Sequence, residues 1–164
     1  MNVFLPFLSL QAQVVLLMSP NLILAVNAGS SSLRLSLFMI LIDHTLNPNL
    51  EPVSLLVTSS LSNIGTHNAK FSYSLATSFH QKRYSDLSAS VNDHSTAFEH
   101  FLQTLFADQD IIDSGYGRHN ITHVCHRVVH GGDFTDPVIV EKHTYERLEA
   151  LSDLAPLYMI SLSL

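Results

Sequence analysis

The stretch LILAVNAGSSSLRLSLF, from Leu22 to Phe38, contains two predicted strands and the turn between them, and the rest of the fold is expected to assemble on it. Leu22 to Val26 is a continuous apolar run, the pattern of a strand buried on both faces. From Leu33 onward, leucine occupies every second position, which is the period of a half-buried strand. Because only the short segment from Asn27 to Ser32 separates the two strands, an antiparallel hairpin is the economical topology.

The chain after this hairpin is predicted to add two strands and then a polar segment. Val53 to Thr58 indicates a third strand, and Phe71 to Leu75 alternates in the manner of a fourth. The segment from Phe79 to His94 is polar and serine-rich, so a loop or a poorly ordered helix is expected there.

A helical period replaces the strand period further along. Thr96 and Glu99 have the spacing of a capping box. Ile121 to Val129 is predicted to form a further strand, and Tyr145 to Leu151 a second helix after Pro137. The apolar face of the first helix comprises Phe98, Phe101, Leu102, Leu105 and Phe106. Strands followed by helix, strand and helix indicate a mixed α/β domain.

Composition narrows the class of protein. With 46% hydrophobic residues and only 13% charged ones among 164, the chain can bury a core and does not resemble a disordered segment. Eight Lys and Arg against 14 Asp and Glu leave no basic stripe, so nucleic acid is not an expected partner. The single cysteine, Cys125, excludes an intramolecular disulfide and fits a reducing compartment.

The N-terminal stretch has two competing interpretations. From Met1 to Leu33 there is no charged residue, which raises the possibility of a targeting or anchoring segment. The stretch lacks the positive n-region of a secretory signal. Prolines and polar residues interrupt it, so a membrane span is not expected either. The alternative is that the functional protein begins at Met18 and that residues 1–17 are an extension.

Two short motifs could carry chemistry. Asn27 to Ser32 is a tight turn whose small residues would let backbone N–H groups approach a phosphate, although a plain connecting turn is the alternative. In HRVVHGG, from His126 to Gly132, strand alternation puts Arg127 and Val129 on one face. A guanidinium beside an apolar side chain suits a small carboxylate, and a structural ion pair is the alternative for Arg127.

Histidines and the cysteine give weaker signals. His119, His123, His126 and His130 are close in sequence, but alternation separates His123 from His126, so a metal cluster is not expected. Cys125 lies in mid-strand without a defined base, and a buried, inert thiol is expected there.

Three segments resemble the acetate kinase family, in the same order: LILAVNAGSSSLRLSLF, HRVVHGGDF from His126 to Phe134, and LSDLAPL from Leu151 to Leu157. SSLSNIG, from Ser59 to Gly65, shows a weaker similarity to the same family. The resemblance spans residues 18–157 and leaves residues 1–17 and 158–164 outside it. It implies a ribonuclease-H-like α/β fold, shared with actin, hexokinase and Hsp70, with a mixed sheet and flanking helices. Only the first of two lobes would be present.

The same resemblance implies transfer of the ATP γ-phosphoryl group to acetate, or alternatively to propionate, with Mg²⁺. By motif, Asn27 would help to place the Mg²⁺–phosphate group, and Ser30 and Ser32 would line the phosphate loop. Arg34 stands where the family usually has lysine and would be the cation on the nucleotide side.

On the substrate side, the resemblance implies that Arg127 binds the carboxylate and that Val129 and Leu157 line a pocket for its methyl group. After Leu157 the expected His-Asn-Pro is replaced by Tyr-Met-Ile, and the family's catalytic aspartate would lie beyond the chain. The isolated chain is therefore expected to be inactive, a non-catalytic nucleotide-binding remnant being the alternative. A cytoplasmic location is expected, and a homodimer only if the second lobe is present.

Overall fold

The computed structural model describes residues 21–41, 51–76, 83–86, 91–128, 132–134 and 136–150. These residues form six strands, three α-helices and one 3-10 turn. In chain order they are β1 (Leu22–Ala28), β2 (Ser32–Ile40), β3 (Val53–Ser62), β4 (Lys70–Leu75), β5 (Arg83–Asp86), α1 (His94–Ala107), α2 (Gln109–Asp113), the 3-10 turn (Arg118–Asn120), β6 (Ile121–His126) and α3 (Lys142–Ala150).

The six strands make one sheet with the order β5-β4-β3-β2-β1-β6. The first five strands are antiparallel neighbours, and β6 joins the free edge of β1 in parallel. A parallel neighbour needs a long connection back across the sheet, and α1 and α2 lie within that connection. The predicted hairpin and the predicted mixed α/β class are both confirmed.

Only one face of β1 is fully buried, so the prediction of a strand buried on both faces is wrong. Leu22, Leu24 and Val26 are at most 3% exposed, whereas Ile23 and Ala25 are partly exposed. The helix α1 packs against the first of these faces, and the described residues leave the second face partly uncovered. We call this second face, which carries Ile23, Ala25 and Asn27, the open face.

The core lies between the buried face of the sheet and α1. Phe101 and Leu105 of α1 are completely buried, as are Val57 of β3 and Tyr73 of β4. All four belong to one cluster of apolar side chains that runs through β1, β2, β3, β4 and α1. The predicted apolar face of the helix is thereby confirmed, and its burial packs α1 against one face of the sheet.

The cap of α1 lies one turn earlier than the predicted pair of Thr96 and Glu99. The Asp93 carboxylate accepts a hydrogen bond from the Thr96 N–H at 2.8 Å, and the Thr96 hydroxyl accepts one from the Asp93 N–H at 3.2 Å. Asp93 is therefore the N-cap, and Thr96 is the third residue of the helix. The pKa of Asp93 is held below its usual value by the hydrogen bonds that its carboxylate accepts from the Thr96 N–H and from the Thr96 hydroxyl.

One strand was not predicted from the sequence, and another ends earlier than predicted. Arg83 to Asp86, within the segment expected to be a loop or helix, forms the edge strand β5 against β4. A strand at an edge is tied to the sheet on one side only, so it does not need the apolar pattern on which the prediction relied. The strand β6 ends at His126 instead of Val129, and residues 129–131 lie outside the described residues.

The other predicted elements are present with shifted limits. The strand β3 continues beyond the predicted Thr58 to Ser62, β4 follows its predicted alternation, and α3 begins at Lys142, before the predicted Tyr145. The short helix α2 was not predicted. None of the helices in the described ranges has the length and apolar character required to cross a bilayer.

Candidate functional site

A row of polar residues crosses the open face of the sheet. Asn27 of β1 lies opposite Arg34 of β2, Arg34 lies opposite Ser60 of β3, and Ser60 lies opposite Ser72 of β4. Directly opposed residues of neighbouring strands share a face, so these four side chains form one line, which we call the polar row. The hydroxyl oxygens of Ser60 and Ser72 are 2.8 Å apart and hydrogen-bonded.

Arg127 extends the polar row beyond β1. Its backbone N–H donates to the carbonyl of Val26 at 3.0 Å, which continues the β1–β6 ladder one residue past the end of β6. Because His126 pairs with the buried Val26, alternation directs the exposed Arg127 side chain to the same face as Asn27. Asn27 thus has one arginine on each neighbouring strand.

In the ranges that the structure describes, Arg34 and Arg127 form no ion pair with a carboxylate. Both side chains are exposed. Two guanidinium groups on one face provide the planar donors that phosphate and carboxylate oxygens pair with.

The hairpin loop, residues 27–32, ends beside the polar row and is a tight turn, as predicted. The Gly29 N–H donates to the Ser32 carbonyl at 2.8 Å. A Cβ on Gly29 would lie 2.8 Å from the Ser32 Oγ, so the Ser32 hydroxyl would have to move to admit a larger residue. Ser30, at the loop apex, is exposed, and Ser32 is half-buried at the start of β2.

Two loop contacts were not anticipated from the sequence. The Ile64 N–H donates to the Ser31 carbonyl at 3.0 Å, and the imidazole Nε2 of His94 lies 2.7 Å from the Gly29 carbonyl oxygen. The weak similarity of Ser59 to Gly65 to the family was the only sequence signal near the first contact. A histidine at the start of a helix gives no signal for the second, because its partner is 65 residues away.

His126 precedes Arg127 and pairs with Val26, so its side chain lies on the face of the sheet opposite the open face. Burial lowers the pKa of His126, and a hydrogen bond with the Arg127 backbone partly opposes that change. Its Nε2 atom is buried and has no hydrogen-bond partner among the residues that the structure describes. The imidazole is therefore neutral near pH 7, and the positive charge at this end of β6 belongs to Arg127.

The prediction that Cys125 is buried is wrong, because the structure places it in an exposed position. Cys125 pairs with Ala25 on the open face of an edge strand, and the described residues do not cover that face. The described ranges contain no group of three or more candidate metal-ligating side chains. His130 lies outside those ranges, as do Val129 and Leu157, so the methyl pocket stays a prediction.

Residues 22–161 match the acetokinase family. The chain is 36% identical over 136 residues to a probable acetate kinase of Emericella nidulans, an alignment that covers 83% of this chain and 29% of that protein. It is also 36% identical over 137 residues to acetate kinase 2 of Listeria monocytogenes, covering 83% of this chain and 30% of that enzyme.

Solved structures give the same result for the fold. The crystal structure of Porphyromonas gingivalis acetate kinase superposes with a TM-score of 0.62 at 22% identity, covering 84% of this chain and 31% of that one. A propionate kinase from Francisella tularensis superposes with a TM-score of 0.57 at 28% identity, covering 86% and 30%.

The sheet order and these neighbours define the class: an α/β protein with the ribonuclease-H-like fold of actin, hexokinase and Hsp70. The expected fold class is confirmed. Within that class, the chain belongs to the acetokinase family. It spans about 30% of the length of the curated relatives that it matches.

Proposed function

We propose that this chain is the part of an acetate kinase-like phosphotransferase that binds the phosphates of ATP and the carboxylate of the acyl acceptor. The observation that carries the proposal is the position of Asn27 between Arg34 and Arg127 on the open face, beside the hairpin loop. In this arrangement a hydrogen-bonding amide lies between two cations, as a site for two negatively charged reactants requires.

The proposed reaction moves the γ-phosphoryl group of ATP to a carboxylate oxygen of acetate and gives acetyl phosphate and ADP, reversibly. Both reactants are anions, so positioning and charge neutralisation matter more than covalent help from the protein. The Arg127 guanidinium would hold the acceptor carboxylate through both oxygens, and Arg34 would pair with the nucleotide phosphates. The two cations thereby reduce the repulsion between the reactants.

The residues present suit ATP and Mg²⁺. The hairpin loop offers backbone N–H groups and the Ser30 and Ser32 hydroxyls, with no Cβ at Gly29 to fill the turn. The Asn27 side chain offers a carboxamide oxygen, a ligand type that Mg²⁺ accepts. Bound Mg²⁺ would supply further neutralisation of phosphate charge. The arginine at position 34 keeps the charge of the family's usual lysine.

We further propose that the 164-residue chain binds these ligands without turnover, since the family's catalytic aspartate has no counterpart among its motifs. A non-catalytic nucleotide-binding remnant is the alternative. A propionate kinase is a second alternative, which the structural likeness to the Francisella tularensis enzyme supports. The same proposal includes domain limits at residues 18 and 157 and a cytoplasmic location. It also includes the absence of nucleic-acid and membrane partners, and a homodimer only when the second lobe is present.

Thermal unfolding of the purified chain with and without Mg·ATP tests ligand binding. Mg·ATP at a hundredfold excess over its Kd should stabilise the wild-type chain by about 2.7 kcal/mol. The Arg34→Ala variant should lose most of this stabilisation, and Arg34→Lys should keep it because the charge is preserved. Arg118→Ala is a matched control, since that arginine lies over the Phe106 ring, away from the polar row. No stabilisation of the wild-type chain would contradict the proposal.

Trapping acetyl phosphate as a hydroxamate tests turnover separately. We expect no hydroxamate from the 164-residue chain with acetate and Mg·ATP, and formation of the hydroxamate would show that this chain is catalytically competent. Isothermal titration with acetate in the presence of Mg·ATP should detect acceptor binding that Arg127→Ala abolishes. Tighter binding of propionate than of acetate would favour the propionate kinase alternative.

A further inference from the structure

The hairpin loop is held from outside by the start of α1. His94, the first residue of α1, is half-buried, and its Nε2 lies 2.7 Å from the Gly29 carbonyl oxygen. A carbonyl oxygen only accepts hydrogen bonds, so the proton of this contact is on Nε2. His94 therefore donates to the loop, and this holds for the neutral Nε2–H tautomer and for the protonated ring.

Two backbone hydrogen bonds complete a closed ring of contacts around the loop. The Ile64 N–H donates to the Ser31 carbonyl at 3.0 Å, and the Gly65 N–H donates to the Val91 carbonyl at 2.9 Å. The chain from Val91 then leads directly into His94, which returns to Gly29. Among these three links, only the one from His94 is made by a side chain, so a substitution at His94 can open the ring selectively.

The start of α1 is a firm support for this contact. Asp93 caps the helix through the Thr96 N–H at 2.8 Å, and Ala97 and Phe98 are buried in the core directly after it. The backbone that carries His94 is thus fixed by the cap and by core packing. The position of the imidazole follows from the core rather than from the loop.

Fixing the Gly29 carbonyl also fixes a donor. The carbonyl of Gly29 and the N–H of Ser30 belong to one peptide unit, which is planar and trans. In a trans unit the N–H points opposite to the C=O, so the Ser30 N–H is directed away from His94. Within the described ranges, this N–H donates to no protein group.

We propose that His94 is a positioning residue for phosphate binding: its hydrogen bond to Gly29 holds the Ser30 N–H as an oriented donor for a phosphate oxygen. The inference rests on the proposed function, because it assigns the anion to the nucleotide site at the hairpin loop. Its physical basis is preorganisation. A donor that is already oriented loses less conformational freedom when it binds its ligand.

The test compares three variants of the full chain by isothermal titration with Mg·ATP and by thermal unfolding. His94→Ala removes the donor and should raise the Kd for Mg·ATP roughly five- to tenfold, the worth of one hydrogen bond. His94→Gln keeps a side-chain N–H of similar reach and should restore the Kd to within about twofold of wild type. His100→Ala, a half-buried histidine of the same helix that contacts Phe71, should alter stability without altering the Kd.

Hydrogen exchange separates failure of this inference from failure of the proposed function. Opening the ring in His94→Ala should accelerate exchange of the Ile64 and Gly65 amides, which donate its two backbone hydrogen bonds. Faster exchange with an unchanged Kd would overturn the positioning role and leave nucleotide binding intact. Unchanged exchange would overturn the ring itself. No binding of Mg·ATP by the wild-type chain would overturn the proposed function and, with it, the assignment of the anion.

Discussion

Substitution of Gly29 by alanine should change stability with opposite signs in two backgrounds. The new Cβ would lie 2.8 Å from the Ser32 Oγ, closer than carbon and oxygen normally approach, and 3.8 Å from the Ser32 carbonyl oxygen, an ordinary contact. Gly29 is not among the glycines with positive φ, so the alanine backbone itself is not strained. The Ser32 hydroxyl is thus the single obstacle to alanine at this position.

Two opposing effects determine how Gly29→Ala changes the free energy of unfolding. Where the backbone is permitted, alanine in place of glycine stabilises a protein by about 0.4–1 kcal/mol, because the unfolded chain loses freedom. Forcing extra volume into a tight contact costs about 1–3 kcal/mol. Gly29→Ala should therefore lower the free energy of unfolding by about 1 kcal/mol in the wild-type chain. In a Ser32→Ala background the crowding is absent, and Gly29→Ala should raise the free energy of unfolding by about 0.4–1 kcal/mol.

Urea unfolding of the four proteins of this double-mutant cycle measures the effect. The chain contains five tyrosines and no tryptophan, so far-ultraviolet circular dichroism is a suitable signal, with tyrosine fluorescence as a second one. The interaction energy between positions 29 and 32 should equal the crowding cost, about 1–3 kcal/mol. An interaction energy within about 0.5 kcal/mol of zero would refute the steric explanation.

Three further predictions follow from burial and protonation. Phe101→Ala should lower the free energy of unfolding by about 3–5 kcal/mol, since this ring is fully buried. Ile112 is 48% exposed, so Ile112→Ala should lower the free energy of unfolding by only about 0.5 kcal/mol, and urea unfolding measures both changes. Because burial lowers the pKa of His126 below 6.5, the unfolded state binds the proton first, so stability should decline as pH falls through 6.5. Urea midpoints at pH 7.5 and 5.5 should differ less for His126→Leu than for wild type, and equal differences would contradict the assignment. Cys125 should react with a thiol reagent in the native chain as fast as in urea, whereas strong protection would contradict its exposed position.

Local patterns predicted most secondary structure because they report which side chains must be buried. Alternating leucines identified β2, and the helical spacing of Phe98, Phe101 and Leu105 identified α1. The prediction is wrong at β5, because an edge strand with a polar sequence lacks the apolar alternation that marks a strand. It is also wrong at the helix cap, because Asp93 and Thr96 have equivalent capping chemistry and the local sequence does not distinguish them.

The candidate site could be predicted only in pieces. The hairpin loop and Arg34 are near neighbours in the chain, so their proximity to Asn27 follows from the hairpin alone. Arg127 stood out by its motif, but a motif does not say which strand it will join. The His94 contact was missed altogether, since nothing in a helix-starting histidine indicates a partner loop 65 residues away.

The hairpin, the helical face and the set of charged and small residues that could serve phosphate and carboxylate chemistry all follow from the sequence alone. These features depend on backbone preferences and on the period of apolar residues within one segment. Long-range packing establishes that α1 covers one face of the sheet, that β6 joins β1 in parallel, and that Cys125 is exposed. Burial of the apolar face of α1 selects which sheet face is covered, and it leaves Asn27, Arg34 and Arg127 together on the open one.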